Sequence, residues 1–251
     1  MNDSKDISRL LEEWPYDEED NVRFLTGADG RDLMQIREPL GIEQYDLDGR
    51  PDGRKPEGED SMLALYLKKE KAALESGDEW ELKDDDFTRL HTEGVLFYYR
   101  YLALFQVGQY DRVVRDTEHN LAIIRLLLKY YQGEQSREML QYRPYIRRMN
   151  AISRAMLRLS EDDTDGAMSE LENGKADIES NPAVPTPIYE FEKIRSLQHL
   201  TQVIAQVAEA REERQKPPGF RERLTEELSR AVENEDYERA ARIRDRIRRL
   251  D

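Results

Sequence analysis

Residues 86–107 read DFTRLHTEGVLFYYRYLALFQV. Apolar side chains recur at Phe87, Leu90, Val95, Leu96, Phe97, Tyr98, Tyr101, Leu102, Leu104 and Phe105. On a helix they cover almost the whole circumference, and such a helix is one buried by its neighbours. Gly108 punctuates the run. Residues 110–131 follow as a partner helix, with Val113, Val114, Leu121, Ile123, Ile124, Leu126, Leu127 and Leu128 at helical spacing. This pair sets the expected fold class: mainly α, a body of helical hairpins.

Working outward, Ser61 is placed to cap a helix running to about Glu75, ended by Ser76-Gly77-Asp78. Further helices are expected over 136–159, 165–179 and 188–215, with the proline-rich stretch 181–187 as a stiff break. Toward the N-terminus the period changes. A short helix over 8–13 ends at Trp14-Pro15. Residues 22–25 and 33–36 then flank Gly27-Ala28-Asp29-Gly30, which reads as a β-hairpin, and 41–47 alternates like a third strand. A small antiparallel meander is therefore expected, followed by a loop over Asp48–Gly58. Lys216-Pro217-Pro218-Gly219 is the clearest linker. The expected division is an acidic segment with the meander over 1–60, a helical body over 61–215, a linker over 216–220 and a two-helix hairpin over 221–251.

Composition limits function. Hydrophobic residues make up 38% and charged residues 37% of the 251, against about 45–50% and about 25% in ordinary globular chains. Blocks with solvated faces are the expected form. The absence of cysteine removes disulfides, thiolate nucleophiles and cysteine zinc sites. With no secretory leader read at the N-terminus and no membrane-length apolar stretch, a cytoplasmic location away from membranes is expected. The net charge of −15 is unevenly placed. Residues 1–86 carry 26 acidic against 12 basic side chains, residues 87–220 carry 19 against 18, and residues 221–251 carry nine of each. The acidic first third repels nucleic acid and anionic membrane.

No phosphate-binding loop, dinucleotide fingerprint, nucleophile elbow or metal-binding histidine spacing is present, so no catalytic residue, metal or cofactor is expected. His91, His119 and His199 read as structural or surface residues. The loop over Asp48–Gly58 is a candidate for small-molecule binding. Arg143, Arg147, Arg154 and Arg158 fall on one helical face, with Tyr142 and Tyr145 interleaved. Such a face can hold phosphates and stack bases. Its alternative is a solvated face, or one that pairs with the acidic N-terminal third.

The segment Phe105-Gln106-Val107-Gly108-Gln109-Tyr110-Asp111-Arg112-Val113-Val114 resembles the turn of a tetratricopeptide repeat, with a poorer match around Asp163–Met168. Their separation far exceeds that repeat's usual ~34 residues. The resemblance implies helical hairpins of similar geometry, suited to an interaction platform.

The C-terminal segment is more specific. Leu224, Leu228, Ala231 and Val232 form one apolar stripe. Glu233-Asn234-Glu235 is a polar turn, and Asp236 is placed to cap a second helix. Tyr237, Ala240, Ala241, Ile243, Arg244, Ile247 and Leu250 form the second stripe. Six acids and two arginines lie between Glu222 and Asp236, and six arginines and two acids between Tyr237 and Leu250. Two such hairpins complement each other when antiparallel.

These residues resemble the UVR motif of UvrB and UvrC. Glu238, Ala240, Ala241, Arg244, Asp245, Ile247 and Leu250 fall on the motif's marked positions, Tyr237 stands where an aromatic is usual, and Leu224, Leu228 and Ala231 fit its first helix. In that family the motif joins protein chains, in excision-repair proteins, Clp-type ATPases and activators of protein arginine kinase. The resemblance implies association through these residues, with a partner protein or a second copy. The leading expectation is a non-enzymatic adaptor. The alternatives are an excision-repair accessory recruiting UvrB or UvrC and touching DNA through the arginine face, or a regulator of a Clp-type system.

Overall fold

The computed structural model describes residues 6–215 and 220–248, so the linker residues 216–219 lie outside the described residues. The chain forms two compact units, one ending at Ile204 and the other beginning at Ala205.

In the larger unit, turn chemistry and alternation set the sheet. Strands β1 (Val22–Thr26), β2 (Asp32–Glu38) and β3 (Gly41–Asp46) pair antiparallel in the order β1-β2-β3. Phe24 faces Met34 across the first pair and Met34 faces Tyr45 across the second. Strict alternation fails on β2, where Leu33, Met34, Ile36 and Arg37 are all buried. The cause is a partial cover on the second face. After the short helix α1 (Ser8–Glu13), Trp14 stacks under the Arg23 guanidinium at 4.0 Å, and its carbonyl accepts from Arg37 Nε at 2.7 Å. The main face delivers Met34, Ile36, Tyr45 and Leu47 onto Tyr101, Leu104, Val113 and Met149.

The helical body follows as α2 (Met62–Ser76), α3 (Asp84–Gln106), α4 (Tyr110–Tyr130), α5 (Ser136–Leu140), α6 (Arg143–Ser160), α7 (Thr164–Ser180) and α8 (Pro187–Gln215). Ser61 caps α2 by accepting from the Ala64 amide at 3.0 Å, and Gly77 ends it in the left-handed region (φ 77°), which costs a side-chain-free residue least. The apolar α3 buries Phe87, Leu90, Phe97, Tyr101 and Leu104 but leaves Val95 and Tyr99 exposed, so it is covered on part of its circumference rather than all round. Leu90, Leu104, Ile123 and Leu127 are inaccessible to solvent. α4 packs against both α3 and α6, and α6 against α7. The turn read at Phe105–Val114 joins α3 to α4.

One expected helix is two. The run over 136–159 breaks between α5 and α6 at Gln141-Tyr142. Pro144 explains it: its ring would clash with the carbonyl of Leu140 and it donates no hydrogen bond. It sits instead in the first turn of α6, where no donor is required. Among the described residues no helix is long and apolar enough to cross a membrane.

The smaller unit holds α9 (Phe220–Glu233) and α10 (Tyr237–Arg248).

Candidate functional site

The hairpin is built by spacing and by its turn. Leu224, Ala231, Ala240 and Ile243 are buried between α9 and α10, with Leu228 and Ile247 packed against them. The alanines let the two backbones approach. Three polar residues make the turn, with Glu235 in the left-handed region (φ 56°) and the Asp236 amide donating to the Ala231 carbonyl at 2.8 Å. The Asp236 carboxylate accepts from the Arg239 amide at 3.0 Å, so it caps α10.

The residues read as partner-binding therefore divide. Leu224, Ala231 and Ala240 are spent on the hairpin's own interior, and Leu228, Ala241 and Ile247 are half-buried. Tyr237 is 67% exposed, as is half of Val232, which the stripe had placed inward. Arg244 and Asp245 are exposed, 3.6 Å apart, a pair of negligible worth in water. Leu250 lies outside the described residues. The exterior is charged: α9 carries four acids and three arginines, and α10 five arginines and two acids.

The arginine face of α6 lies against its neighbours. Arg147 pairs with Asp177 of α7 at 2.6 Å, and Arg154 pairs with Glu118 of α4. Arg158 lies 3.8 Å from Asp163 and 3.9 Å from Glu161 and from Glu170. Arg143 stands half-buried in the first turn. The partners of Arg147, Arg154 and Arg158 come from α4, α7 and the turn before α7, rather than from the acidic N-terminal third. Three of the four guanidiniums are thus already matched by carboxylates.

The Asp48–Gly58 loop borders a cleft of about 320 Å³ with Arg31, Asp46 and Asp60. Its charges are paired within the cleft or with its neighbours: Arg31 with Asp46 at 2.7 Å, Arg50 with Asp52 at 2.8 Å, Lys55 with Asp60 at 3.0 Å, and Asp48 with Arg115 of α4 at 3.1 Å. Among the described residues no three His, Asp or Glu side chains converge as a metal would require.

Two buried ionic clusters escaped the sequence reading. Arg100 and Asp116 pair in the interior, and wholly buried Glu93 accepts from the Met62 and Leu63 amides at 2.7 and 2.9 Å, from Arg50 at 3.2 Å, and meets His119 Nε2 at 3.0 Å. Burial pushes the Glu93 carboxyl up, but the His119 contact and the two amides prevail and hold it below its ordinary value. His119 stacks on Phe97 at 3.6 Å between centroids, His91 stacks on Phe87, and burial and then Arg148 lower His199. A signal for Arg100 was available: of the two arginines in α3, Arg89 and Arg100, it is the one set among the apolar residues Phe97, Tyr101 and Leu104.

No curated protein and no solved structure matches the chain. Residues 220–251 match the family model described as the UvrB/uvrC motif, and the C-terminal hairpin is therefore a UVR motif.

Proposed function

We propose that the chain is a non-enzymatic adaptor whose UVR hairpin docks a second copy or a similar hairpin of a partner protein. One observation carries this reading. Among the described residues, the two helices of 14 and 12 residues enclose four buried apolar side chains, while Val232 and Tyr237 stay in solvent. So small a core is marginal alone, and its leftover apolar surface favours a second layer.

The burial pattern selects the variants that test it. Ala240→Asp would charge the hairpin's own interior and report on folding. Val232→Glu and Tyr237→Glu alter only the outer surface. The expected result is a solution mass by light scattering that rises with concentration in the native protein and falls to the monomer value in both variants, with unchanged helicity. A native protein that stays monomeric at every concentration and binds no other UVR hairpin would sink the reading.

The motif itself favours a second reading, docking onto UvrB or UvrC in excision repair or onto a Clp-type ATPase. Binding of one of those purified partners, lost in Tyr237→Glu, would select it. The paired state of Arg147, Arg154 and Arg158 weighs against DNA contact through α6.

A further inference from the structure

Helices α3, α4, α5, α6 and α8 line a cleft of about 460 Å³ inside the larger unit, a volume ordinary for small-ligand sites. Its walls are phenolic. Tyr98 meets Tyr101 edge-on at 5.6 Å and Tyr145 at 6.0 Å, so ring planes stand at steep angles round one corner. Tyr142 stands at the rim, 42% exposed. Gly94 lets Met139 and Asn120 pack directly on α3 at one wall: a Cβ there would meet Met139 Cε at 2.6 Å and the Asn120 amide oxygen at 3.5 Å.

Two buried polar side chains that line this cleft each hold an oxygen with no hydrogen bond among the described residues. Asn120 is 2% exposed. Its Nδ2 donates to the Gly94 carbonyl at 2.9 Å, which fixes the amide and leaves Oδ1 unmatched. Glu192 is 8% exposed. Its Oε1 lies 3.8 Å from Arg195, and its Oε2 is unmatched. Both unmatched atoms are acceptors, so an occupant matches them by bringing hydrogen-bond donors. Charge narrows the class. The cleft is lined by two carboxylates, Glu138 and Glu192, and by Arg195, which is 57% exposed and screened by water, while the buried Arg148 behind Tyr145 also attracts Glu192. Aromatic faces attract cations, and Tyr145 already carries the Arg148 guanidinium at 5.0 Å.

We propose that this cleft binds an organic cation, an ammonium or guanidinium on an apolar stem, with Glu192 and Asn120 accepting its N–H groups and the Tyr98 and Tyr142 rings covering the stem. The site is independent of the UVR hairpin. The cation is supplied either by a free small molecule or by a side chain presented on a peptide.

A matched pair of probes separates charge from shape. Butylguanidinium and butylurea have nearly the same outline, and only the first is charged. Calorimetry on the full chain is expected to show butylguanidinium binding at least tenfold tighter than butylurea. That preference is expected to vanish in Glu192→Gln, and affinity to fall in Tyr142→Ala, whose exposed side chain is not needed for folding. A peptide of one arginine flanked by glycines, with both ends blocked, identifies the source: tighter binding than butylguanidinium means a presented side chain, and equal or weaker binding means a free ligand. Equal affinity for the charged and neutral probes, or no binding of either by the folded native protein, overturns the proposal.

Discussion

Arg100 and Asp116, both inaccessible to solvent, meet through two hydrogen bonds of 2.7 Å, Nε to Oδ2 and Nη2 to Oδ1. This two-pronged geometry is the strong form of the charge-assisted bond. The third nitrogen, Nη1, donates to the carbonyls of Asp46 at 2.7 Å and Gly49 at 2.9 Å. One guanidinium therefore ties the end of β3 and its following turn to α3 and α4. Arg100→Met removes every one of these donors and leaves Asp116 buried with only Arg115, at 2.9 Å. The expected loss is about 3–5 kcal/mol, the range for breaking a buried pair from one side. Replacing both residues, as Arg100→Met with Asp116→Leu, is expected to recover part of it. Urea unfolding midpoints of the single and double variants measure both.

The Glu93 carboxylate couples the body's stability to acid. Its folded pKa lies below the ordinary 4.5, so it contributes stability that is complete above that value and is lost as pH falls through the folded pKa. The group gives up this contribution between pH 4.5 and its depressed folded value, with little change from neutral pH down to about 5. Glu93→Gln keeps the shape and discards the charge. That variant is expected to be less stable by about 2 kcal/mol at neutral pH and to show a shallower decline on acidification. Thermal melts of both proteins at pH 7, 5 and 3.5 would check this, and identical slopes would remove Glu93 as the cause.

Gly174 sits where α6 and α7 approach closely. A Cβ at this position would lie 2.4 Å from the Ala151 Cβ, too close for two carbons. On propensity alone Gly174→Ala would stabilise α7 by about 1 kcal/mol. The helices must instead separate, and overpacking typically costs about 1–3 kcal/mol. The expected net effect is a lower melting temperature. In an Ala151→Gly background the same change is expected to be neutral or stabilising, because the opposing methyl is gone.

How much of this was legible beforehand varies with the kind of force involved. Helices α2, α3, α4 and α7 and the three strands follow from periodicity and from turn residues such as Ser61, Gly77 and Gly30, because local chemistry dictates them. The α5–α6 break turns on one residue, Pro144, whose effect outweighs the otherwise helical run. The hairpin's stripes were legible, yet spacing alone cannot tell which half of an apolar residue pair faces in. Val232 adjoins Ala231 in sequence, and only Ala231 reaches the interior. Arg100 stands out in its helix, but the pairing of the charged interior is invisible to pattern reading for a deeper reason. Arg100 and Asp116 are 16 residues apart, and Glu93 finds its donors across more than 25 in either direction. Likewise the α6 arginines form a visible face, while the carboxylates of α4 and α7 that meet them become neighbours only when the helices pack.

The charge division of the UVR hairpin makes a final prediction about how it associates. Acids outnumber arginines six to two from Glu222 to Asp236, and arginines outnumber acids six to two from Tyr237 to Leu250. An antiparallel second hairpin sets the acid-rich stretch from Glu222 through the turn to Asp236 of each copy against the arginine-rich α10 of the other. Attraction of this exposed kind is screened as the Debye length falls from about 10 Å at 0.1 M salt to about 3 Å at 1 M. The dissociation constant is therefore expected to rise by about tenfold between 0.1 and 1 M salt. Arg242→Glu should weaken association at low salt, and Glu227→Arg added to the same chain should restore it, since both side chains are exposed. Sedimentation equilibrium at the two salt concentrations reads all three effects. Association that ignores both salt and charge reversal would assign the interface to Val232, Tyr237 and their apolar neighbours alone, and would remove the charge pattern from the account of pairing.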